Sequence, residues 1–94
     1  MTPEAGDIYV GDMGGEVRQL VLVLSSARFH RIAERAIVAP AAGPRPYPWR
    51  VAFEDQTFAV DMLRTVPTSV LLEHVGRAPQ AAIRSAQRAV HLVM

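Results

Sequence analysis

Two short runs of sequence decide the fold: Gly6-Asp7-Ile8-Tyr9 and Val17-Arg18-Gln19-Leu20-Val21-Leu22-Val23-Leu24-Ser25. An aspartate opens the first strand, and the Gly-Gly pair between the runs can supply the positive φ of a hairpin turn. The second run is apolar after Gln19, which is typical of a central strand buried on both faces. Arg18 lies at the start of that strand, where a guanidinium can bind an anion next to a rigid sheet.

The length and composition predict one small domain over residues 1–94. Half of the residues are hydrophobic, but a core of this size is marginal on its own. A second copy of the chain is therefore expected to bury what one copy exposes. The chain has no cysteine, so disulfides and thiolate metal sites are excluded. His30, His74 and His91 show no metal-ligand spacing, and we predict neither a metal nor a cofactor.

Neither a signal peptide nor a membrane span is visible. The N-terminus lacks a basic region followed by an apolar one. The longest apolar run, Leu20–Leu24, is too short to cross a bilayer. The sequence therefore predicts a cytoplasmic protein without membrane contact.

The charges are unevenly distributed along the chain. Residues 1–16 carry four acidic side chains and no basic one, whereas residues 17–50 carry six arginines against Glu34 alone, a net charge of +5. All ten basic residues are arginine, and each guanidinium is a planar fork suited to phosphate or to stacking. Such a block is a plausible anion-binding face.

Hydrophobic periodicity and turn residues predict mostly antiparallel strands with one short and one long helix. Three prolines within Gly43–Pro48 mark a loop, and Pro79 opens the last helix, whose apolar stripe is Ile83, Ala86, Val90 and Val93. The predicted strands are Asp7–Met13, Val17–Leu24, Ala36–Ala39, Trp49–Phe53, Thr57–Val66 (bent near Met62) and Val70–Val75, and the predicted helices are a short one capped by Ser25-Ser26 and a long one over Gln80–Met94. This order indicates an α+β fold, a small and highly curved antiparallel sheet or open SH3-like barrel with a C-terminal helix.

Five segments resemble the MazF/PemK family of bacterial toxins, in the same order and at similar spacing. They are Gly6-Asp7-Ile8-Tyr9, Arg18–Ser25, Ile37-Val38-Ala39-Pro40, Tyr47-Pro48-Trp49-Arg50-Val51 and Asp61-Met62-Leu63-Arg64-Thr65-Val66. The resemblance covers nearly the whole chain and implies the PemK/CcdB-like fold. It also implies a homodimeric toxin of a type II toxin–antitoxin system that cuts single-stranded RNA sequence-selectively and without metal. A cognate antitoxin would lay a peptide across the same groove.

A second branch of this fold, the CcdB gyrase poisons, is the alternative. Asp61-Met62 followed by Val66-Pro67-Thr68-Ser69-Val70 resembles a CcdB stretch. Those proteins use a C-terminal Trp-Gly-Ile to engage gyrase, and this chain ends in His91-Leu92-Val93-Met94 instead. A toxin that acts by binding DNA gyrase is therefore the second hypothesis.

Two residues are candidates for catalysis. Cleavage through the ribose 2′-OH needs a base, an acid and positive charge at the phosphate. Arg18 can supply that charge, and its alternative role is a surface salt bridge with Glu16 or Asp7. Asp61 aligns with an aspartate that some relatives use in proton transfer, and its alternative is a structural carboxylate.

One position departs from the family pattern. The family usually carries Thr or Ser just after Val-Ala-Pro-x, and this chain has Ala42 there. An alanine side chain neither donates a hydrogen bond nor moves a proton, and losing one such donor costs on the order of 10²–10³ in rate. The sequence thus leaves open a slow nuclease, a rearranged site, or a weak homologue that only binds antitoxin.

The remaining candidates are predicted RNA contacts. Aromatic side chains interleaved with arginines can stack on unpaired bases and hold phosphates. Trp49 has an alternative role as a cap on the core. The predicted RNA-binding residues are Ser25, Arg28, Arg45, Tyr47, Trp49 and Arg64.

Overall fold

The described part of the chain, residues 2–15 and 17–94 of a computed structural model, forms a five-stranded antiparallel sheet, a separate β-hairpin and two α-helices. In chain order the elements are β1 Asp7–Gly11, β2 Gln19–Val23, α1 Ala27–Ala33, β3 Arg35–Pro40, β4 Arg50–Phe53, β5 Gln56–Ala59, a 3-10 helix Val60–Met62, β6 Arg64–Pro67, a second 3-10 helix Thr68–Val70, β7 Leu71–Arg77 and α2 Gln80–Val93. The sheet order is β6-β3-β2-β1-β7, and β4 pairs with β5. This confirms the predicted α+β fold, with two sheets that do not close into a barrel.

Strand β2 is the centre of the sheet, as its apolar run predicts. It pairs with β1 on one side and β3 on the other, and Val21, Leu22 and Val23 are fully buried. Alternate side chains enter two separate cores, because successive residues of a strand point to opposite faces. Leu22 packs in the core that contains α2 and the β4–β5 hairpin, whereas Val21 and Val23 pack in the other.

Helix α2 covers the first of these faces with small side chains. Ala82, Ala86 and Ala89 are buried, and they let the helix lie close to the sheet. Gly6 has a φ of +94°, and a Cβ at that position would overlap the Ile83 side chain. The predicted apolar stripe is therefore correct at Ile83 and Ala86 and half-buried at Val90, but wrong at Val93, which is exposed. Among the described helices, neither combines the length and apolarity needed to cross a membrane.

The predicted strand Thr57–Val66 is broken into three elements. Strand β5 returns along β4, and then the Val60 N–H donates to the Trp49 carbonyl at 2.9 Å. The 3-10 helix that follows redirects the chain, and β6 pairs with β3 instead. The predicted bend at Met62 lies at the end of this 3-10 helix, so the bend is correct and the continuous strand is wrong.

Candidate functional site

The β2–β3 ladder ends at the loop that contains Ala42, and the first candidate residue, Arg18, precedes β2 at this end. Val21 pairs with Pro40, and one step further the Ala41 N–H donates to the Leu20 carbonyl at 3.0 Å. Arg18 directly precedes β2, whose first residue, Gln19, pairs with Gly11 of β1. Arg18 is exposed.

The β4–β5 hairpin holds the loop in place at this edge. Ala41 forms an isolated bridge with Phe58, and the Ala42 N–H donates to the Thr57 carbonyl at 2.9 Å. The loop is thus fixed between β2 and the hairpin by backbone hydrogen bonds. Ala42 contributes no side-chain donor here, as its sequence predicts.

Arg50 is the residue that the sequence analysis did not assign to the site. Its side chain is 14% exposed, and Nε lies 3.4 Å from Oδ1 of Asp61. Nη1 donates to the Gly43 carbonyl at 3.1 Å, and the guanidinium carbon lies 5.8 Å from the centre of the Tyr47 ring. Nε is buried and makes no hydrogen bond within the described residues, since the contact with Asp61 is an ion pair only.

Asp61 therefore faces a guanidinium. It lies in the 3-10 helix directly after β5, and its side chain is 33% exposed. Arg50 links this carboxylate to Gly43, two residues after Ala41, whose N–H donates to the Leu20 carbonyl of β2. We call these five residues, Arg18, Gly43, Tyr47, Arg50 and Asp61, the Arg18 end of β2.

The two aromatic candidates stack on each other beside Arg50. The Tyr47 and Trp49 rings are 5.2 Å apart at 24°. Tyr47 is 43% exposed, whereas Trp49 is half-buried and packs against the α2 core. Trp49 thus caps the core, and Tyr47 presents its ring to solvent. Arg45 is exposed on the same loop and donates to the carbonyl of Pro44 at 3.1 Å.

Ser25 lies at the opposite end of β2. Seven residues of extended chain from Arg18 correspond to about 23 Å. Its Oγ accepts from the Ile37 N–H at 2.8 Å and is hydrogen-bonded to Nε2 of His30. His30 is 3% exposed, and its Nδ1 donates to the Pro3 carbonyl at 2.7 Å. We call these four residues the Ser25 end.

The partners assign the protons in this network. A carbonyl only accepts, so Nδ1 of His30 carries its proton, and in the neutral ring Nε2 accepts from the Ser25 hydroxyl. Ser25 then donates one hydrogen bond and accepts another inside the fold. The fold thus already uses the Ser25 hydroxyl, and its contact with RNA stays a prediction.

The last two predicted RNA contacts lie on different elements. Arg28 is exposed on α1, beyond Ser25. Arg64 lies at the start of β6 and its Nη1 is 3.4 Å from the carbonyl of Met13, to which it donates. The structure therefore brings Asp61, Tyr47 and Trp49 together around Arg50, with Arg45 on the same loop. Arg64 reaches the β1–β2 connection that precedes Arg18, whereas Ser25 and Arg28 lie towards the other end of β2.

Asp7 belongs to a separate, buried cluster. Its carboxylate accepts from the Glu4 N–H at 2.9 Å and from Arg77 at 3.0 Å, and His74 lies 3.4 Å away. Burial, with a smaller contribution from the Asp7 charge, raises the pKa of Tyr9. Asp7 is thus structural and is not the partner of Arg18, while Glu16 lies outside the described residues.

Comparison with known proteins places the chain in a family. The family model for the PemK-like, MazF-like toxin of type II toxin–antitoxin systems matches residues 4–94. The chain belongs to this family. The match supports the MazF/PemK resemblance over the gyrase-poison alternative. No curated protein matches the sequence.

Solved structures of this family share the fold along nearly the whole chain. An endoribonuclease from a mycobacterial species has a TM-score of 0.88 and 17% identity, with 99% of this chain and 91% of that chain covered. A mycobacterial endoribonuclease in complex with its cognate antitoxin gives 0.88 and 18%, with 97% and 93% covered. The MazE–MazF complex of Deinococcus radiodurans gives 0.85 and 21%, with 99% and 95% covered. These similarities confirm the predicted PemK-like architecture.

Proposed function

We propose that this toxin is an endoribonuclease that cuts single-stranded RNA without a metal ion, at the Arg18 end of β2. The observation that carries the proposal is the Arg50–Asp61 pair, which is bonded to the loop after β3 in a MazF-like chain whose Arg18 precedes the neighbouring strand β2. Two guanidinia and a carboxylate provide the charges that transfer of a phosphoryl group to a neighbouring hydroxyl requires. Within residues 2–15 and 17–94, no three His, Asp or Glu side chains converge as metal ligands would.

The proposed reaction uses the RNA itself as nucleophile. A base takes the proton of the 2′-OH, the 2′ oxygen bonds to the adjacent phosphorus, and the bond from phosphorus to the 5′ oxygen breaks. The leaving oxygen takes up a proton. The products are a 2′,3′-cyclic phosphate and a 5′-hydroxyl, so one proton is lost and one gained, and neither an oxidant nor water is consumed.

Asp61 and Arg18 have different roles in this reaction. The Arg18 guanidinium can bind two phosphate oxygens at once, and it stabilises the charge that develops as phosphorus becomes five-coordinate. Asp61 Oδ1 faces Arg50, and its other oxygen makes no hydrogen bond to another residue of the described chain. That oxygen is available to exchange a proton as base or acid.

The RNA contacts extend from this centre along the exposed loop. The ring of Tyr47 can stack on an unpaired base, and Arg45 lies next to it for a phosphate. Trp49 supports Tyr47 from the core side. Arg28 would contact a strand only at a distance from the cleavage point, and its contribution is expected to be small. Arg64 reaches the β1–β2 connection that precedes Arg18 and can hold a phosphate there.

The partners follow from the family and from the surface. A mycobacterial relative is known in complex with its cognate antitoxin, and we propose that a cognate antitoxin blocks the Arg18 end of this chain. Large apolar side chains remain exposed, among them Ile32, Leu92 and Met94. A second copy would bury part of this surface, which supports a homodimer acting in the cytoplasm, where RNA is available.

The test is incubation of the purified protein with a long single-stranded RNA in EDTA, with the fragment ends mapped. We expect cuts with a 2′,3′-cyclic phosphate on one side and a 5′-hydroxyl on the other. Intact RNA would refute the nuclease. Inhibition of DNA supercoiling by gyrase would then support the alternative, whereas antitoxin binding alone would identify a weak homologue.

A further inference from the structure

We propose that Arg50 supplies the phosphate contact that Ala42 cannot make, so that two arginines, Arg18 and Arg50, hold the scissile phosphate. This inference rests on the ribonuclease function proposed above and names a further catalytic residue for it. It answers how a chain without the usual hydroxyl can keep a working site.

Arg50 is bonded to the residue next to Ala42. Its Nη1 donates to the carbonyl of Gly43 at 3.1 Å, and Gly43 is the residue that directly follows Ala42. Ala41, two residues before Gly43, donates to the carbonyl of Leu20, two residues after Arg18. The guanidinium of Arg50 is therefore held next to the Ala42 position, on the loop where the missing hydroxyl would act.

The Arg50 guanidinium keeps N–H groups that no described residue accepts from. A guanidinium has five N–H donors. One binds Gly43, and Nε is buried without a hydrogen bond. Nη2 makes no hydrogen bond to another described residue. Unlike Nε, it is accessible to solvent. Donors left over at a half-buried guanidinium are suited to an incoming anion.

The Arg50 side chain is held in place by three contacts. Asp61 is paired with Nε at 3.4 Å, the Tyr47 ring lies against the guanidinium, and the Arg50 N–H donates to the Tyr47 carbonyl at 3.1 Å. These contacts fix the plane of the fork before RNA arrives. A preorganised donor stabilises the transition state without reorganisation at the moment of reaction.

A purely structural role for Arg50, as a clamp on the loop, makes a different prediction. A clamp would act through folding or loop position, and a hydroxyl added at Ala42 would not replace it. A phosphate ligand, in contrast, can be replaced by another donor at the same phosphate. The two roles are therefore separated by Ala42→Thr in the presence and absence of Arg50.

The experiment is single-turnover cleavage of single-stranded RNA in EDTA by the wild type, Arg50→Met, Ala42→Thr and the double variant. Arg84→Met, an exposed arginine on α2, is the matched control and should cleave like the wild type. We expect Arg50→Met to lose about 10²–10³ in rate and Ala42→Thr to recover at least about tenfold of that loss. In the wild-type background, Ala42→Thr should change the rate only a few-fold.

Urea unfolding of each variant controls for folding, and Arg50→Lys provides a second variant that keeps the charge but not the fork. We expect Arg50→Lys to fall between the wild type and Arg50→Met. An Arg50→Met enzyme of wild-type rate would overturn the inference. So would a loss that Ala42→Thr fails to reduce in a fully folded protein.

Failure of the nuclease itself gives a distinct result, because the wild type would then cut no RNA. The inference is then decided by binding of an RNA with a 2′-deoxy residue at each position of one short segment, titrated at several salt concentrations. Arg50→Met should weaken binding and lower the salt slope by about one. Unchanged affinity and slope would overturn the role of Arg50 independently of catalysis.

Discussion

The two ends of strand β2 both carry polar side chains, but only at the Ser25 end do those side chains satisfy one another's hydrogen bonds. At the Ser25 end, a hydroxyl, an imidazole and two backbone groups satisfy one another, and His30 is buried. At the Arg18 end, Arg18 is exposed and Arg50 keeps donors without a partner in the described chain. A satisfied polar network stabilises the fold, whereas unused donors beside a rigid sheet are available to a ligand. The difference explains why one end serves folding and the other is proposed to serve chemistry.

The largest expected effect is at the Arg18 end. Arg18→Ala should lower the rate of RNA cleavage by about 10²–10³, because one preorganised cation at the phosphate is lost. The free energy of unfolding should change by no more than about 0.5 kcal/mol, since the side chain is exposed. Single-turnover kinetics and urea unfolding measure the two quantities, with Arg84→Met as the control. A wild-type rate would remove Arg18 from the mechanism.

The second expected effect is at the Ser25 end, where a substitution should lower stability and leave the cleavage rate unchanged. His30→Ala should lower the free energy of unfolding by about 2 to 4 kcal/mol, because it opens a cavity and leaves the Ser25 hydroxyl and the Pro3 carbonyl without their partner. The cleavage rate of the protein that remains folded should be unchanged. Urea unfolding at fixed protein concentration gives the stability. A double-mutant cycle with Ser25→Ala should show coupling between the two residues, and additive effects would contradict the network.

The third effect concerns RNA affinity at the exposed loop. Tyr47→Ala should weaken binding of an uncleavable single-stranded RNA by about 1 to 3 kcal/mol, the contribution of one stacked base. Tyr47→Phe keeps the ring and should bind like the wild type. Fluorescence titration compares the three proteins. Equal loss in both variants would assign the effect to the hydroxyl and not to stacking.

The smallest effect is a pH dependence of stability at Tyr9, near the Asp7 cluster. Burial raises the pKa of Tyr9 in the folded protein, so the unfolded chain releases this proton first, near pH 10. The stabilising contribution is therefore complete below about pH 10 and is lost as the pH rises through the folded pKa. Tyr9→Phe should show a smaller decline in unfolding free energy above pH 10 than the wild type. Identical declines would contradict the shift.

The sequence predicted the parts of the fold that depend on local pattern. The apolar run of β2 and the small-residue face of α2 follow from strand and helix periodicity. The break within Thr57–Val66 does not, because it depends on the Val60 N–H reaching Trp49 across the hairpin. Tertiary contacts of this kind override strand propensity.

Only part of the candidate site could be predicted from the sequence, because the rest depends on tertiary contacts. Arg18 stays a prediction, which rests on its place before a rigid strand. The pairing of Arg50 with Asp61 could not, since it joins positions 11 residues apart that meet only when β4 and β5 form a hairpin. The separation of Ser25 from Arg18 was readable in principle, because opposite ends of an extended run cannot share one site.

The most direct test of the account is to map where RNA binds along β2. Backbone amide chemical shifts of the isotope-labelled protein would be followed by NMR during titration with a short single-stranded RNA made uncleavable by 2′-deoxy substitution. The account predicts shifts at Gly43, Tyr47, Arg50 and Asp61, and unchanged amides at Ser25, His30 and Ile37. Shifts confined to the Ser25 end, or none at saturating RNA, would contradict it.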